Sequence, residues 1–222
     1  TRGTPGAKTD VPVWTAPVRI DTAQTAFFVS YLHTSQSLSV AVSPAGNVHA
    51  AWVSQAPCTS TTYSVSGSCA YIYSATLSAN SNTWSAPVLV GDTPDGSFSN
   101  GPGTGTVIAY INDRGDAVVK YGGYDFGSPP VRTYSASAYR ATLALRPAGQ
   151  TTFQTSLLRD YQYADDVQVV LDKNGVVVAA AERVQPNSSN RDITAYVGSA
   201  SGGITSASAT VVDQIASTAI ID

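Results

Sequence analysis

Methionine is absent from this 222-residue chain, glutamate occurs once, at Glu182, and charged residues make up only 12% of the sequence. The formal net charge is −3 and Lys and Arg form no cluster, which argues against nucleic acid as a partner. No apolar run approaches the roughly 20 residues of a membrane-spanning helix, so we predict no membrane span. Because the chain begins at Thr1, we expect a mature or trimmed product whose signal peptide, if it had one, has been removed.

Cysteine is also scarce: the chain has only Cys58 and Cys69, which flank a loop rich in Ser, Thr and Tyr. We predict that they form a disulfide, which indicates a secreted or cell-surface protein, with two free thiols as the alternative. Two cysteines without a histidine cluster make a poor metal site, so no metal and no cofactor is predicted. His33 and His49 lack a nucleophile motif, and this argues against a catalytic triad.

Alternating apolar residues on both sides of a glycine-containing turn recur three times. A period of two on either side of a turn predicts a β-hairpin with one buried face. The apolar residues stand eight, six and four positions before the glycine and two, four and six after it. They are Leu38, Val40, Val42, Val48, Ala50 and Trp52 around Gly46; Val107, Ala109, Ile111, Ala117, Val119 and Tyr121 around Gly115; and Val167, Val169, Leu171, Val177, Ala179 and Ala181 around Gly175.

Two further strands are predicted after each hairpin, so each repeat holds four strands and almost no helix. The third strands begin near residues 73, 139 and 193, and the fourth near 83, 153 and 204. A repeated four-stranded meander is typical of a propeller blade. We therefore predict an all-β fold, a β-propeller of four-stranded antiparallel blades at about 37–92, 105–160 and 166–213, with a β-sandwich as the alternative.

The two ends of the chain are interpreted as parts of an incomplete fourth blade. Residues 1–12 are predicted to be a flexible leader, and 13–222 a single domain. Residues 13–21 match the fourth strand of a blade and 214–222 match the first, so the fourth blade would be split. An open sheet edge invites pairing. We expect a second polypeptide or a second copy to complete the propeller; the alternative is that the two termini meet as a thin blade.

The long connections are predicted to lie together on one rim, where binding residues usually occur. Aromatic side chains there would stack on sugar rings or peptide side chains, while carboxylates and arginines would fix hydroxyl or acid groups. Loop packing by the same side chains is the structural alternative. The candidate ligand-binding residues are Tyr124, Asp125, Asp160, Tyr161, Tyr163, Arg183, Arg191 and Asp192.

Two stretches, SPAGNVHAAWV (43–53) and SANSNTWSAPVLV (78–90), resemble blades of bacterial sialidase-like and lectin-like propellers. Ser78, Asn80 and Trp84 are similar to an Asp-box turn without its Asp and Gly. A sialidase would also carry an Arg-Ile-Pro motif, an arginine triad, a Tyr–Glu pair and an acid Asp. Here Arg19-Ile20 is followed by Asp21, and the intact set is missing.

The resemblance therefore implies a propeller fold and leaves two functions to be weighed. The first is a non-enzymatic extracellular module that binds glycan or protein through its long-loop face, or serves as a subunit of a secreted or surface assembly. The alternative is a sialidase-like glycoside hydrolase whose active site is completed by another chain. Glu182 stands at the end of a predicted strand near the long-loop rim, and it would be the carboxylate to consider for that second function.

Overall fold

The computed structural model describes residues 3–4, 13–14, 16–21, 38–57, 68–94, 107–124, 139–158, 167–184, 191–204 and 210–215. Strands and turns, without a helix, make up this part of the chain, which confirms the predicted all-β class. Accordingly, no helix long and apolar enough to cross a membrane occurs among these residues. The described sheets do not close into a barrel or a propeller ring.

Three four-stranded antiparallel sheets follow one another along the chain, each paired in sequence order as a meander. Sheet 1 comprises β3 (Leu38–Val42), β4 (Val48–Pro57), β5 (Ser68–Leu77) and β6 (Val88–Pro94); sheet 2 comprises β7 (Val107–Ile111), β8 (Ala117–Tyr124), β9 (Tyr139–Arg146) and β10 (Gln154–Leu158); sheet 3 comprises β11 (Gln168–Leu171), β12 (Val176–Val184), β13 (Arg191–Ser199) and β14 (Thr210–Ile215). A separate two-stranded pair joins β1 (Gly3–Thr4) to β2 (Val13–Trp14).

The hairpin register expected from the alternating pattern is confirmed in all three sheets. Val40 lies opposite Ala50, Ala109 opposite Val119, and Val169 opposite Ala179. The turn glycines Gly46, Gly115 and Gly175 have φ angles of 87°, 90° and 84°. Only glycine adopts this left-handed region without a steric cost, which explains why the turn residue recurs.

The ends of the chain differ from the prediction. Residues 3–4, which were expected in a flexible leader, pair with β2, and residues 16–21 are not in a strand, so 13–21 is not one continuous strand. Gln214 and Ile215 continue β14 because Asp192 and Arg191 of β13 still offer them backbone partners. The predicted fourth-blade strand at 214–222 therefore does not begin at 214; residues 216–222 lie outside the described part.

The three sheets stack face to face in one direction. In sheet 2, Val107, Ala109, Val119 and Tyr121 pack against sheet 1, while the opposite side, with Val118, Leu143 and Leu145, packs against sheet 3. We call the side turned toward the preceding sheet the leading face and the opposite side the trailing face. The first strands of sheets 1 and 2 lie side by side, where the Ala109 amide donates to Ser39 Oγ over 3.0 Å. In each of the two contacts between sheets, the trailing face of one sheet thus packs against the leading face of the next.

The leading face of sheet 1 has no preceding sheet among the described residues. Leu38, Val40 and Val42, predicted to be buried, are 59%, 56% and 65% exposed. The counterparts of Val40 in the other sheets, Ala109 and Val169, are 5% and 8% exposed. The pattern predicted the correct face, and the burial prediction for β3 was wrong because burial depends on a neighbouring sheet that the strand's own sequence does not specify.

The remainder of that leading face is covered locally. Ala50, Trp52 and Ala75 are buried together, with Tyr73, Trp84 and Ile20 packed against them. Trp84 therefore contributes to the packing of this face. The exposed apolar residues of β3 thus lie next to this small buried cluster on the same face of sheet 1.

The trailing face of sheet 3 is the second uncovered apolar surface. Strand pairing places Val170 opposite Val178 and Val178 opposite Val197, all on this face. Val170 is 63% exposed and Val197 48%, and Val176 on the same face is 38% exposed. Sheet 3 therefore carries apolar residues on both sides, as a sheet covered on both faces does.

A hydrogen-bonded chain of turns holds the stack together at the short-turn rim. The Asn47 side-chain amide donates to the carbonyl oxygens of Asn112 and Asp113, and Asn112 in turn donates to the carbonyl of Asp172 over 2.9 Å. In the last turn, Asp172 Oδ1 accepts from the amides of Val176 and Asn174, which lowers the pKa of that carboxyl group. These contacts fix one turn against the next in the same order as the sheets.

Candidate functional site

A cleft opens at the short-turn rim between sheets 1 and 2. Its cavity is about 350 Å³, which suits a small polar molecule. Hydroxyl, amide and guanidinium groups share the walls with a few aliphatic side chains. The lining residues are Asn47, Thr76, Leu77, Ser78, Ser85, Ala86, Val88, Ile111, Arg114, Gly115, Arg146, Ala148, Gly149, Gln150 and Thr151. Two arginines and no carboxylate line it, so its charge is positive.

Arg146 is the most unusual residue of this cleft. It is 6% exposed, at the end of β9 on the leading face of sheet 2. Its Nη2 lies 3.4 Å from Thr76 Oγ1, and its guanidinium stands 5.1 Å from the centre of the Phe153 ring. Its Nε has no hydrogen-bond partner, and no carboxylate of the described residues forms an ion pair with it. Burial lowers the pKa of Arg146.

His49 is packed beside Arg146 between the same two sheets. It is fully buried, its Nδ1 lies 3.0 Å from the Tyr110 carbonyl oxygen, and its ring stacks on Phe153 with centroids 6.2 Å apart. Burial lowers the pKa of His49 to about 4, and the charge of Arg146 adds to this shift against the opposing hydrogen bond to Tyr110. The imidazole is therefore neutral at pH 7 and donates Nδ1–H to the carbonyl.

Arg114 is the second arginine of the cleft, and its guanidinium already has partners within the chain. Its Nη1 donates to the Asn174 carbonyl over 2.8 Å, and its Nε lies 3.5 Å from Asp116 Oδ2. The Arg114 side chain is 59% exposed and the Asp116 side chain 2% exposed, so solvent screens this ion pair from the arginine side. Arg114 thus belongs to the contact between the turns of sheets 2 and 3, although it contributes positive charge to the cleft.

Four of the predicted ligand-binding residues belong to described strands, and these four lie at the opposite rim. Strand pairing sets Arg183 directly opposite Asp192, with Arg191 one position further along β13, at the end of sheet 3. The Tyr124 backbone lies at the end of β8, opposite Tyr139. Their side chains are not described. Asp125, Asp160, Tyr161 and Tyr163 lie outside the described residues, so this site stays a prediction.

The predicted disulfide also stays a prediction. The Cys69 backbone lies in β5 opposite Ala56, and Cys58 falls just beyond the described end of β4. The Glu182 backbone in β12 lies opposite Ile193 in β13. No group of three or more His, Cys, Asp and Glu residues that could hold a metal ion occurs in the part of the chain that the structure describes.

Sequence reasoning missed Arg146, although one signal could have found it. In β9 the alternation of Thr142, Ala144 and Arg146 places the arginine on the leading face. Strand pairing gives Leu77 the equivalent place in sheet 1 and Gly198 in sheet 3. A charged residue at a position that is otherwise apolar or small marks a site that needs another explanation.

A scan against models of protein families matched none, and a search among curated proteins found no significant match.

Proposed function

We propose that this chain is a three-blade part of an extracellular β-propeller that acts as a non-enzymatic interaction module and is completed by a second copy. The observation that carries the proposal is the one-directional stacking of the three sheets. Among the described residues it leaves two exposed apolar surfaces, the β3 stripe of Leu38, Val40 and Val42 on the leading face of sheet 1 and the trailing face of sheet 3. Exposed apolar surfaces of this kind are characteristic of protein–protein contacts.

A second copy suits both faces at once. The trailing and leading faces are the two halves of the interface that already joins sheets 1 and 2, where Ala41 packs against the cluster that contains Ala109. By repeat position, Val170 corresponds to Ala41 and Val40 to Ala109. Sheet 3 of one copy would then stack on sheet 1 of the other, and the reciprocal contact would close a ring of two times three blades. Six blades fall within the four to eight that propellers use.

The assembly is tested by the molar mass in solution, measured by light scattering after size exclusion. We expect twice the chain mass of 23.0 kDa for the unchanged protein, and 23.0 kDa for Val40→Asp and for Val170→Asp, because either charge would be buried at the contact. Both positions are more than half exposed in the chain alone, so neither variant should lower the thermal midpoint of the monomer.

Thr155→Asp is the matched control, since it places the same charge at an exposed position of β10 in the middle sheet. It should leave the dimer intact. A monomer at every concentration would contradict completion by a second copy. A stable complex in which a different polypeptide covers the same faces would contradict the proposal that a second copy of this chain covers them.

The long-loop rim remains the proposed ligand-binding face of the module. Arg183 lies directly opposite Asp192 in the pairing of β12 with β13, which supports a polar site at that end of sheet 3. A glycan array probed with the unchanged chain and with Asp192→Asn is the test. Binding that is lost in this variant supports the prediction, and an array without signal favours a protein ligand.

A further inference from the structure

We propose that the cleft between sheets 1 and 2 binds the carboxylate of a small polar ligand through the Nε–Nη2 edge of Arg146. This site lies on the short-turn rim, whereas the ligand residues predicted from the sequence lie on the long-loop rim. It also lies between two sheets of one chain, so it does not depend on completion of the propeller by a second copy.

The first step in the argument is the missing counter-charge. Arg146 is 6% exposed, and burying a charge is costly unless it is paired and hydrogen-bonded. Across the described residues, Arg19 and Arg114 have carboxylate partners, whereas Arg146 has none. The polar partner that faces it from β5 is Thr76, at 3.4 Å, and the neutral His49 and Phe153 supply ring contacts. A buried unsatisfied group in a cleft is a candidate for ligand binding.

The second step is the geometry of the unsatisfied edge. In a guanidinium group, Nε–H and one Nη2–H point the same way and form a fork that a carboxylate accepts with both oxygens. In Arg146 the Nε is without a partner and Nη2 has only the long contact to Thr76 Oγ1. That edge therefore lacks a strong partner within the chain, although Nε itself is enclosed. A carboxylate in the cleft would reach the edge by replacing the long contact between Nη2 and Thr76 Oγ1.

The third step is the character of the walls. Ser78, Ser85, Gln150 and Thr151 line the cleft with hydroxyl and amide groups that match the hydroxyls or amides of a small ligand. No Asp or Glu lines it, so nothing there repels an anion. The volume of about 350 Å³ suits one sugar ring or one amino-acid residue. A carboxylate of this size comes from an acidic monosaccharide or from the end of a peptide.

The test is isothermal titration with three small molecules at constant ionic strength: D-glucuronate, an N-acetyl amino acid and the uncharged D-glucose. We expect one of the two carboxylates to bind and glucose not to bind, and the carboxylate that binds identifies the source. Arg146→Met should weaken binding at least tenfold, and Arg146→Lys should restore part of it. Arg19→Met is the matched control, since this exposed arginine does not line the cleft, and it should change the affinity less than threefold.

A second readout separates binding from folding. Without ligand, Arg146→Met should keep or raise the thermal midpoint, because it removes a buried charge that lacks a partner. In ¹⁵N-labelled protein, the Nε–H resonance of Arg146 should shift on titration with the carboxylate that binds. The proposal is overturned if neither carboxylate binds, or if Arg146→Met lowers the thermal midpoint sharply, since the arginine would then have a structural partner within the chain.

Discussion

Acidification from pH 6.5 to pH 4 is expected to remove about 3 kcal/mol from the free energy of unfolding through His49 alone. The pKa of His49 is about 4 in the folded chain and 6.5 in the unfolded chain. Each pKa unit corresponds to about 1.4 kcal/mol. Between these two pH values the unfolded state binds more protons, so stability is full above pH 6.5 and is lost as the pH falls toward 4.

The physical reason is the position of the imidazole. A second proton on His49 would place a charge between two sheets beside the guanidinium of Arg146, on a nitrogen, Nε2, that has no partner. The measurement is urea denaturation followed by fluorescence at half-unit steps from pH 4 to pH 7.

His49→Asn is the informative control, since its amide keeps a donor for the Tyr110 carbonyl and does not titrate. We expect the slope between pH 4 and 6.5 to fall by most of its value in this variant. Equal slopes for the unchanged protein and His49→Asn would show that this histidine is not buried in neutral form.

Replacing Gly91 with alanine is expected to destabilise the contact between sheets 1 and 2 by about 1–3 kcal/mol or more, the range for overpacking a core. Gly91 lies in β6, and a Cβ there would meet the hydroxyl of Tyr121 on the leading face of sheet 2, with the ring carbon Cζ 3.0 Å away. Tyr121 is 4% exposed, so its ring has little room to move.

A double-mutant cycle with Tyr121→Phe isolates this clash. The phenylalanine lacks the hydroxyl, so Gly91→Ala should cost less in that background than in the unchanged chain. The free energies come from urea denaturation at pH 7, where His49 is neutral. An equal cost of Gly91→Ala in both backgrounds would mean that Tyr121 does not pack against Gly91, and the stacking of these two sheets would need revision.

Alternation carried most of the fold prediction. A period of two specifies which residues share a face, and the turn glycines specify where the chain reverses, so the three hairpins and their register followed from residues such as Gly46, Gly115 and Gly175. The same pattern could not specify which faces are covered. Leu38 and Val107 look alike in sequence, yet one is 59% and the other 1% exposed, because only Val107 has a sheet in front of it.

The candidate site was harder to foresee for the same reason. Arg146 and Thr76 are 70 positions apart and meet because two sheets stack, which no local pattern encodes. The short leader strand Gly3–Thr4 was missed because Gly and Thr between Arg2 and Pro5 give no apolar alternation. The predicted long-loop residues were chosen from loop length and chemistry, and their arrangement depends on connections outside the described part.

The central claim is that the one-directional stacking of sheets continues from one copy of the chain to the next. Site-specific cross-linking of mixed chains tests it most directly. One chain carries Val40→Cys on the leading face of sheet 1, and the other carries Val170→Cys on the trailing face of sheet 3, with the unchanged chain as background for Cys58 and Cys69. The account predicts cross-links between position 40 of one chain and position 170 of the other, and few between like positions. Efficient cross-linking of 40 to 40 or 170 to 170, or none at all between chains, would contradict it.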